Sequence, residues 1–203
     1  ALLAGGELRL EDLQDEDGAF QLESLPVGTS KADVQQRFGD SLNFGGGVDT
    51  YENWGLLEKA SYEGYDVQVT FELNNEALEL VHLYFRIPED ADPEAGAELY
   101  DALSQEMEEL YGAPDDVLGN ENQQITSTVS RWYSTEGERP TLANLGHAQM
   151  NGKNIQPVPY VWLKSAHHGL LCHGVRFDRI RKRPSLWGRA LFACYVTAIG
   201  KKA

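Results

Sequence analysis

The side chains best suited to metal chemistry lie in one stretch toward the end of the chain. Four of the five histidines and one of the two cysteines fall within residues 147–173. Imidazole and thiolate ligands suit zinc, which takes four of them in tetrahedral geometry. On a strand, however, His168 and Cys172 would share one face while His173 points to the other. No Cys-x2-Cys or His-x3-His spacing builds a pocket with His147, so the sequence predicts no bound metal and no cofactor.

Covalent catalysis has no recognisable motif in this chain. The sequence contains no G-x-S-x-G elbow and no cysteine-protease signature around Cys172. Acidic side chains are so abundant that no single pair of carboxylates stands out as a general acid and base. We therefore predict a protein that is not an enzyme. A metal-dependent enzyme that uses the 147–173 region remains an alternative.

The stretch LPVGTSKADVQQRFG, residues 25–39, raises the question of phosphate binding. A P-loop needs G-x-x-x-x-G-K-[ST], and no earlier glycine stands in register with Gly28. The stretch instead predicts a helix that Ser30 caps at its start, with Asp33 three residues on. Val34 and Phe38 would share its buried face, and Gly39 suits the residue that follows the helix.

Charge is distributed unevenly along the chain. The net charge is −15, yet residues 141–203 carry ten Lys/Arg against one acid, whereas residues 1–140 carry seven against 31. A strongly acidic body argues against nucleic-acid binding, which needs a positive surface. The basic stretch at 175–189 is interpreted as neutralising that body within the molecule. The charge pattern indicates a basic protein as the partner, and no apolar run is long enough to span a membrane.

Alternating apolar residues predict a hairpin of two strands. In YDVQVTFEL, residues 65–73, Val67, Val69, Phe71 and Leu73 face one way. The turn NNE at 74–76 leads into a second strand at 77–87. An earlier strand is expected within 57–63.

A second helix is predicted from Asp92, with Pro93 at its first position and Gly112 after its end. Further strands are expected near 124–133, 158–164, 169–177 and 189–198. A long exposed loop is expected at 136–156. The predicted apolar stripe of the helix comprises Leu99, Leu103, Met107, Leu110 and Tyr111.

These elements predict an α+β fold of two helix-plus-antiparallel β-meander units, with the helices packed on one face of the sheet. The predicted boundaries are an acidic N-terminal lead at 1–18, a first unit at 19–90 and a second unit at 91–203.

The helix start and hairpin carry a resemblance to a known module. Gly28, Ser30, Val34, Gly39 and the alternation of the hairpin, within residues 25–87, resemble the helix-plus-meander module of outer-membrane assembly lipoproteins of the SmpA/OmlA type. Tandem copies of a similar module form the β-lactamase inhibitory protein, and bacterial toxin immunity proteins look similar. The resemblance implies this fold and either an inhibitory or an envelope-scaffold role.

Aromatic residues are expected on the outward face of the sheet. The alternation places Tyr84, Trp132, Tyr160, Trp162 and Lys164 on a polar side, where aromatics serve as anchors of protein interfaces. Cover by the 136–156 loop is the alternative. The sequence thus predicts a protein-binding module, an acidic immunity-type inhibitor of a basic toxin or enzyme. A cytoplasmic location is expected, and a periplasmic or envelope scaffold is the alternative.

Overall fold

A computed structural model describes residues 6–121, 125–134, 141–150 and 158–166 of the chain. The α-helices there are α1 (Lys31–Phe38) and α2 (Ala95–Tyr111), and two short 3-10 helices span Leu10–Leu13 and Gly39–Ser41. The strands are β1 (Gln21–Leu22), β2 (Leu25–Pro26), β3 (Leu42–Val48), β4 (Tyr51–Leu56), β5 (Ala60–Tyr62), β6 (Tyr65–Asn74), β7 (Ala77–Arg86), β8 (Asp116–Glu121), β9 (Ile125–Ser134), β10 (Thr141–Met150) and β11 (Val158–Ser165).

Nine of these strands form one antiparallel sheet in the order β3-β4-β6-β7-β11-β10-β9-β8, with β5 beside β6. The prediction of two helix-plus-meander units is therefore wrong. Strand β11 pairs with β7, so that Tyr160 lies opposite Tyr84 and Trp162 opposite His82. This pairing satisfies the backbone groups that would otherwise be left open at the edge of the first hairpin. The chain builds one continuous sheet across the predicted boundary at residue 90.

The first helix forms as its sequence predicts. The Ser30 hydroxyl oxygen accepts a hydrogen bond from the Asp33 amide and donates one to the Asp33 carboxylate. Val34 and Phe38 are buried, and the Phe38 ring lies 4.9 Å from that of Phe71 on β6. Gly39 adopts a φ of 51°, a conformation that favours glycine. The stretch at 25–39 is structural in the described chain.

The β6–β7 hairpin is also confirmed. Its turn places Asn75 and Glu76 at positive φ, which suits the right-handed twist of a tight hairpin. The alternate apolar residues of β6 are buried as expected. Strand β7 differs because it is buried on both faces, with Leu80 1% exposed and Leu83 fully buried. Such a strand lies at the centre of a sheet that is covered on both sides.

Helix α2 packs on β10 and β11. Leu99, Leu103 and Met107 are buried on its inner side, as the stripe predicts, whereas Leu110 is 40% exposed. Leu110 is therefore wrongly placed in the predicted stripe. The helix begins later than predicted, at Ala95, and the Asp92 carboxylate accepts a hydrogen bond from the Glu94 amide.

The predicted N-terminal lead contributes to the core. Leu8, Leu10 and Leu13 are all buried, and the Tyr111 hydroxyl donates a hydrogen bond to the Leu10 carbonyl. The Asp15 carboxylate accepts hydrogen bonds from the Asp17 and Ala19 amides and so stabilises the turn at residues 15–19. The segment is thereby tied to the end of α2.

The prediction of a long exposed loop at 136–156 is wrong. Residues 141–150 form strand β10, in which Leu142 and Leu145 are fully buried. Strands β9, β11 and β5 lie close to their predicted positions. The predicted strands at 169–177 and 189–198 fall outside the described residues. Among the described residues, no helix has the length and apolar character needed to cross a membrane.

Candidate functional site

Trp132 lies on the core face of the sheet, not on the outward face. It pairs with Ala143 of β10, which in turn pairs with the buried Leu163. The indole is 2% exposed, and its Nε1 donates a 2.8 Å hydrogen bond to the Gly112 carbonyl at the end of α2. The expectation that Trp132 is presented outward is therefore wrong. The Ser and Thr residues that precede it made the covered face of β9 look like a solvent face.

The other predicted aromatics do share a face. Tyr160 and Trp162 stack with ring centroids 4.6 Å apart, and His82 lies 5.3 Å from Trp162 and 5.5 Å from Tyr84. Tyr160 is only 7% exposed. Burial raises the pKa of Tyr160 to about 12. The structure thus brings these rings together in a packed layer in which Tyr84, Trp162 and Lys164 remain half-buried.

A polar row crosses the same face. Register pairs place Asp116, Arg131, Asn144, Trp162 and His82 side by side on five neighbouring strands. Asp116 and Arg131 form an ion pair at 3.5 Å. Three buried atoms of the row have no hydrogen-bond partner among the described residues: Arg131 Nε, Asn144 Oδ1 and Trp162 Nε1. Sequence alternation alone does not reveal this row, because its members come from strands that are distant in sequence.

The predicted metal candidates are only partly placed. His147 packs against the Tyr100 ring of α2, with centroids 4.4 Å apart. Its Nδ1 is buried, and no group in the described part of the chain forms a hydrogen bond with it. Burial lowers the pKa of His147, and the nearby Asp101 carboxylate partly opposes this. His168, Cys172 and His173 lie outside the described residues. Within the described ranges, no three His, Cys, Asp or Glu side chains are grouped so that they could hold a metal ion.

The outer side of α2 is strongly acidic. Between Ile87 and Ser130 the chain has no lysine or arginine. Eight exposed acids, which we call the acidic helix face, lie on α2 and the segment before it: Glu89, Asp90, Asp92, Glu94, Glu98, Asp101, Glu108 and Glu109. On the helix they lie opposite the buried stripe, because residues three and seven apart fall on one side. None forms an ion pair with a described lysine or arginine.

A cleft of about 240 Å³ opens beside this face, between α2 and the β5–β6 turn. The Tyr62 hydroxyl donates a hydrogen bond to the Glu106 carboxylate in its wall. Burial, together with that carboxylate, raises the pKa of Tyr62, so the phenol stays a donor at neutral pH. The Phe85 ring supports Tyr62 edge-on at 5.5 Å. The remaining lining residues are Glu63, Ala102, Gln105 and Glu109.

The cleft and the acidic helix face together can receive a cation. Carboxylates from two elements converge there, and a lysine ammonium or arginine guanidinium is the protein group that complements them. The acidic charge is evident from the sequence, whereas the residues predicted to bind a partner lie on the aromatic strands. The signal for α2 was the run of 44 residues without a lysine or arginine, combined with the strict inward spacing of its apolar residues.

Comparison with known proteins gives no match: no family model, no curated protein and no solved structure corresponds to this chain.

Proposed function

We propose that this protein binds a basic protein and occludes it, as an immunity-type inhibitor of a basic toxin or enzyme. The single observation that carries the proposal is the acidic helix face, with eight exposed acids on and before one helix and no described cation paired to them. A surface of one charge sign next to a cleft focuses the field that an approaching cationic partner meets.

The acidic helix face is held rigidly by the fold. Helix α2 is anchored by Leu99, Leu103 and Met107 on one side, and Trp132 and Tyr111 bind backbone carbonyls at its end and at the N-terminal segment. A rigid surface loses little conformational freedom when a partner binds, which favours affinity. Such a helix suits occlusion, in which the bound protein blocks a site on its partner.

The cleft would make binding specific for a lysine or arginine side chain of the partner. A lysine or arginine of the partner would enter beside Tyr62 and meet the carboxylates of Glu63, Glu106 and Glu109. Hydrogen bonds between charged groups are shorter and stronger than those between neutral groups. Rim acids such as Glu98 would mainly raise the association rate.

The proposed function is tested by affinity capture from the source organism with matched baits. The bait variant Glu98→Lys/Glu109→Lys alters the acidic helix face. The control bait Glu16→Lys/Asp17→Lys makes the same change in net charge at two exposed acids of the N-terminal segment. We expect a basic protein at near one-to-one stoichiometry with the wild-type and control baits, and its loss with the helix bait.

Inhibition is tested on the captured partner after purification. Adding the wild-type protein should abolish the partner's toxic or enzymatic activity at one equivalent. An unchanged partner activity at several equivalents would overturn the inhibitory role. Equal capture by all three baits would overturn the acidic helix face as the binding surface.

A further inference from the structure

Strand β3 forms one edge of the sheet. Its inner side pairs with β4 from Leu42 to Val48, and no described strand pairs with its outer side. Five of its seven residues are exposed. An edge of this kind presents a row of backbone N–H and C=O groups to any extended segment that approaches.

Strand β3 lacks the charged residues and prolines that often protect an edge strand. The segment LNFGGGV contains neither a charged residue nor a proline, whereas the opposite edge, β8, carries Asp116. Phe44 is 52% and Val48 70% exposed. Exposed apolar side chains on an open edge expose a protein to aggregation unless they serve a binding function.

Glycines leave the backbone of this strand accessible. Residues Gly45, Gly46 and Gly47 present no side chain over the edge, and a bulge falls between Phe44 and Gly46. A Cβ atom at Gly47 would lie 2.8 Å from the Tyr51 carbonyl oxygen, so the close approach of the two strands requires glycine there. The glycine run therefore keeps the hairpin tight and its outer edge uncovered.

Acidic residues flank both ends of β3. Asp40 precedes the strand, and Glu58 lies at the same end, because the Leu57 amide donates a 2.9 Å hydrogen bond to the Ser41 carbonyl. Asp49 follows the strand at the other end. All three acids are exposed. The edge thus combines an uncharged centre with negative charge at each end.

We propose that β3 is a docking edge for an extended segment of another protein that is apolar at its centre and basic at both ends. The segment adds as a further strand, in which backbone hydrogen bonds give affinity and the flanking acids select the charge. The basic character of the segment rests on the proposed function. The docking edge lies on a different element from the acidic helix face, so the two can be tested separately.

The first test uses a synthetic peptide in which alternating valine and threonine is flanked at each end by two lysines. We expect it to bind the full chain and to slow amide hydrogen exchange in residues 42–48. A peptide of the same sequence, N-methylated at alternate backbone amides, keeps its charge but loses donors on one side. We expect its affinity to fall by at least about tenfold. Equal binding of both peptides, or protection elsewhere in the chain, would overturn the proposal.

The second test compares the two edges of the sheet. Val48→Lys places a charge on β3, and Val117→Lys makes the same change at a 57% exposed valine of β8. We expect Val48→Lys to weaken the lysine-flanked peptide by about tenfold and Val117→Lys to leave it within about twofold. If sedimentation shows instead that the wild type self-associates and that Val48→Lys abolishes this, a second copy occupies the edge and the proposal fails.

The same variants separate this inference from the proposed function. Suppose that the captured partner binds Val48→Lys with the affinity of wild type and does not bind the helix variant. The docking edge is then refuted, and the acidic helix face is supported as the binding surface. If the partner binds the helix variant but not Val48→Lys, the docking edge is supported and the acidic helix face is refuted.

Discussion

The ring of Tyr160 on β11 lies directly over Gly146 on β10. The two residues are register partners, and the Cζ and hydroxyl oxygen of Tyr160 occupy the space that a Cβ atom at position 146 would need. An aromatic ring that covers a glycine on the adjacent strand replaces the packing the glycine cannot provide. This pair fixes Tyr160 in the packed layer, so that it stacks on Trp162 rather than projecting outward.

Gly146→Ala is therefore expected to destabilise the fold. The added methyl group would displace the Tyr160 ring, and overpacking of this kind costs about 1–3 kcal/mol. Gly119→Ala on β8 is the matched control, since no atom of the described residues lies within 4 Å of a Cβ at that position. Urea unfolding measures both. Equal stability of the two variants would show that the ring moves aside freely.

Two tryptophan substitutions are predicted to have opposite effects. Trp132→Phe removes the donor to the Gly112 carbonyl and should lower the free energy of unfolding by about 1–2 kcal/mol. Trp162→Phe removes a buried N–H that has no acceptor within the described ranges, so stability should stay unchanged or rise. Denaturant titration of the two variants and wild type compares these effects. Equal losses would contradict the assigned positions of the two indoles.

Acid should weaken the fold through His147. Burial lowers its folded pKa below 6.5, so the unfolded chain takes up this proton first. The contribution of the neutral ring to stability is complete above pH 6.5 and is lost as pH falls through 6.5 toward the folded pKa. A pKa difference of one unit corresponds to about 1.4 kcal/mol.

The measurement is urea unfolding of wild type and His147→Asn at pH 8 and pH 5. Tyr100 and Asp101 of α2 remain in both proteins, so the variant isolates the imidazole. We expect wild type to lose more stability than the variant on acidification. An equal loss would show that His147 does not contribute to the acid response.

Local signals in the sequence predicted the elements that carry strong patterns. The capped start at Ser30 and the strict alternation of Val67, Val69 and Phe71 each determine an element without help from distant residues. The tight turn at Asn75 does the same for the hairpin. These features are confirmed because neighbours in sequence are also the neighbours that stabilise them.

Elements defined by distant partners could not be predicted in this way. Strand β10 carries Asn144, Gly146 and His147, which indicate a loop, yet it is paired on both sides and buries Leu142 and Leu145. Ser130 and Trp132 of β9 are buried, and the Trp132 indole binds the Gly112 carbonyl at the end of α2, so Trp132 does not face outward as expected. The joining of β7 to β11 depends on residues nearly 80 positions apart, and it converted two expected units into one sheet.

The sequence predicts an acidic charge but not the position of the candidate site in the fold. The acidic balance of the first 140 residues indicates a basic partner, but only the fold shows which acids share one helix side. Tyr160 is buried and Trp132 faces the core, so neither side chain is exposed as the predicted role of interface anchor requires. The cleft beside Tyr62 arises from elements some 40 residues apart, which no local pattern signals.

The first measurement to make is the association rate of the captured partner with the helix variant Glu98→Lys/Glu109→Lys. It tests whether the partner binds through the acidic helix face. It should be measured at low ionic strength beside the control variant Glu16→Lys/Asp17→Lys, which has the same net charge. We expect a rate at least about tenfold slower for the helix variant and a rate within about twofold of wild type for the control. Equal rates for the two variants would contradict binding through the acidic helix face.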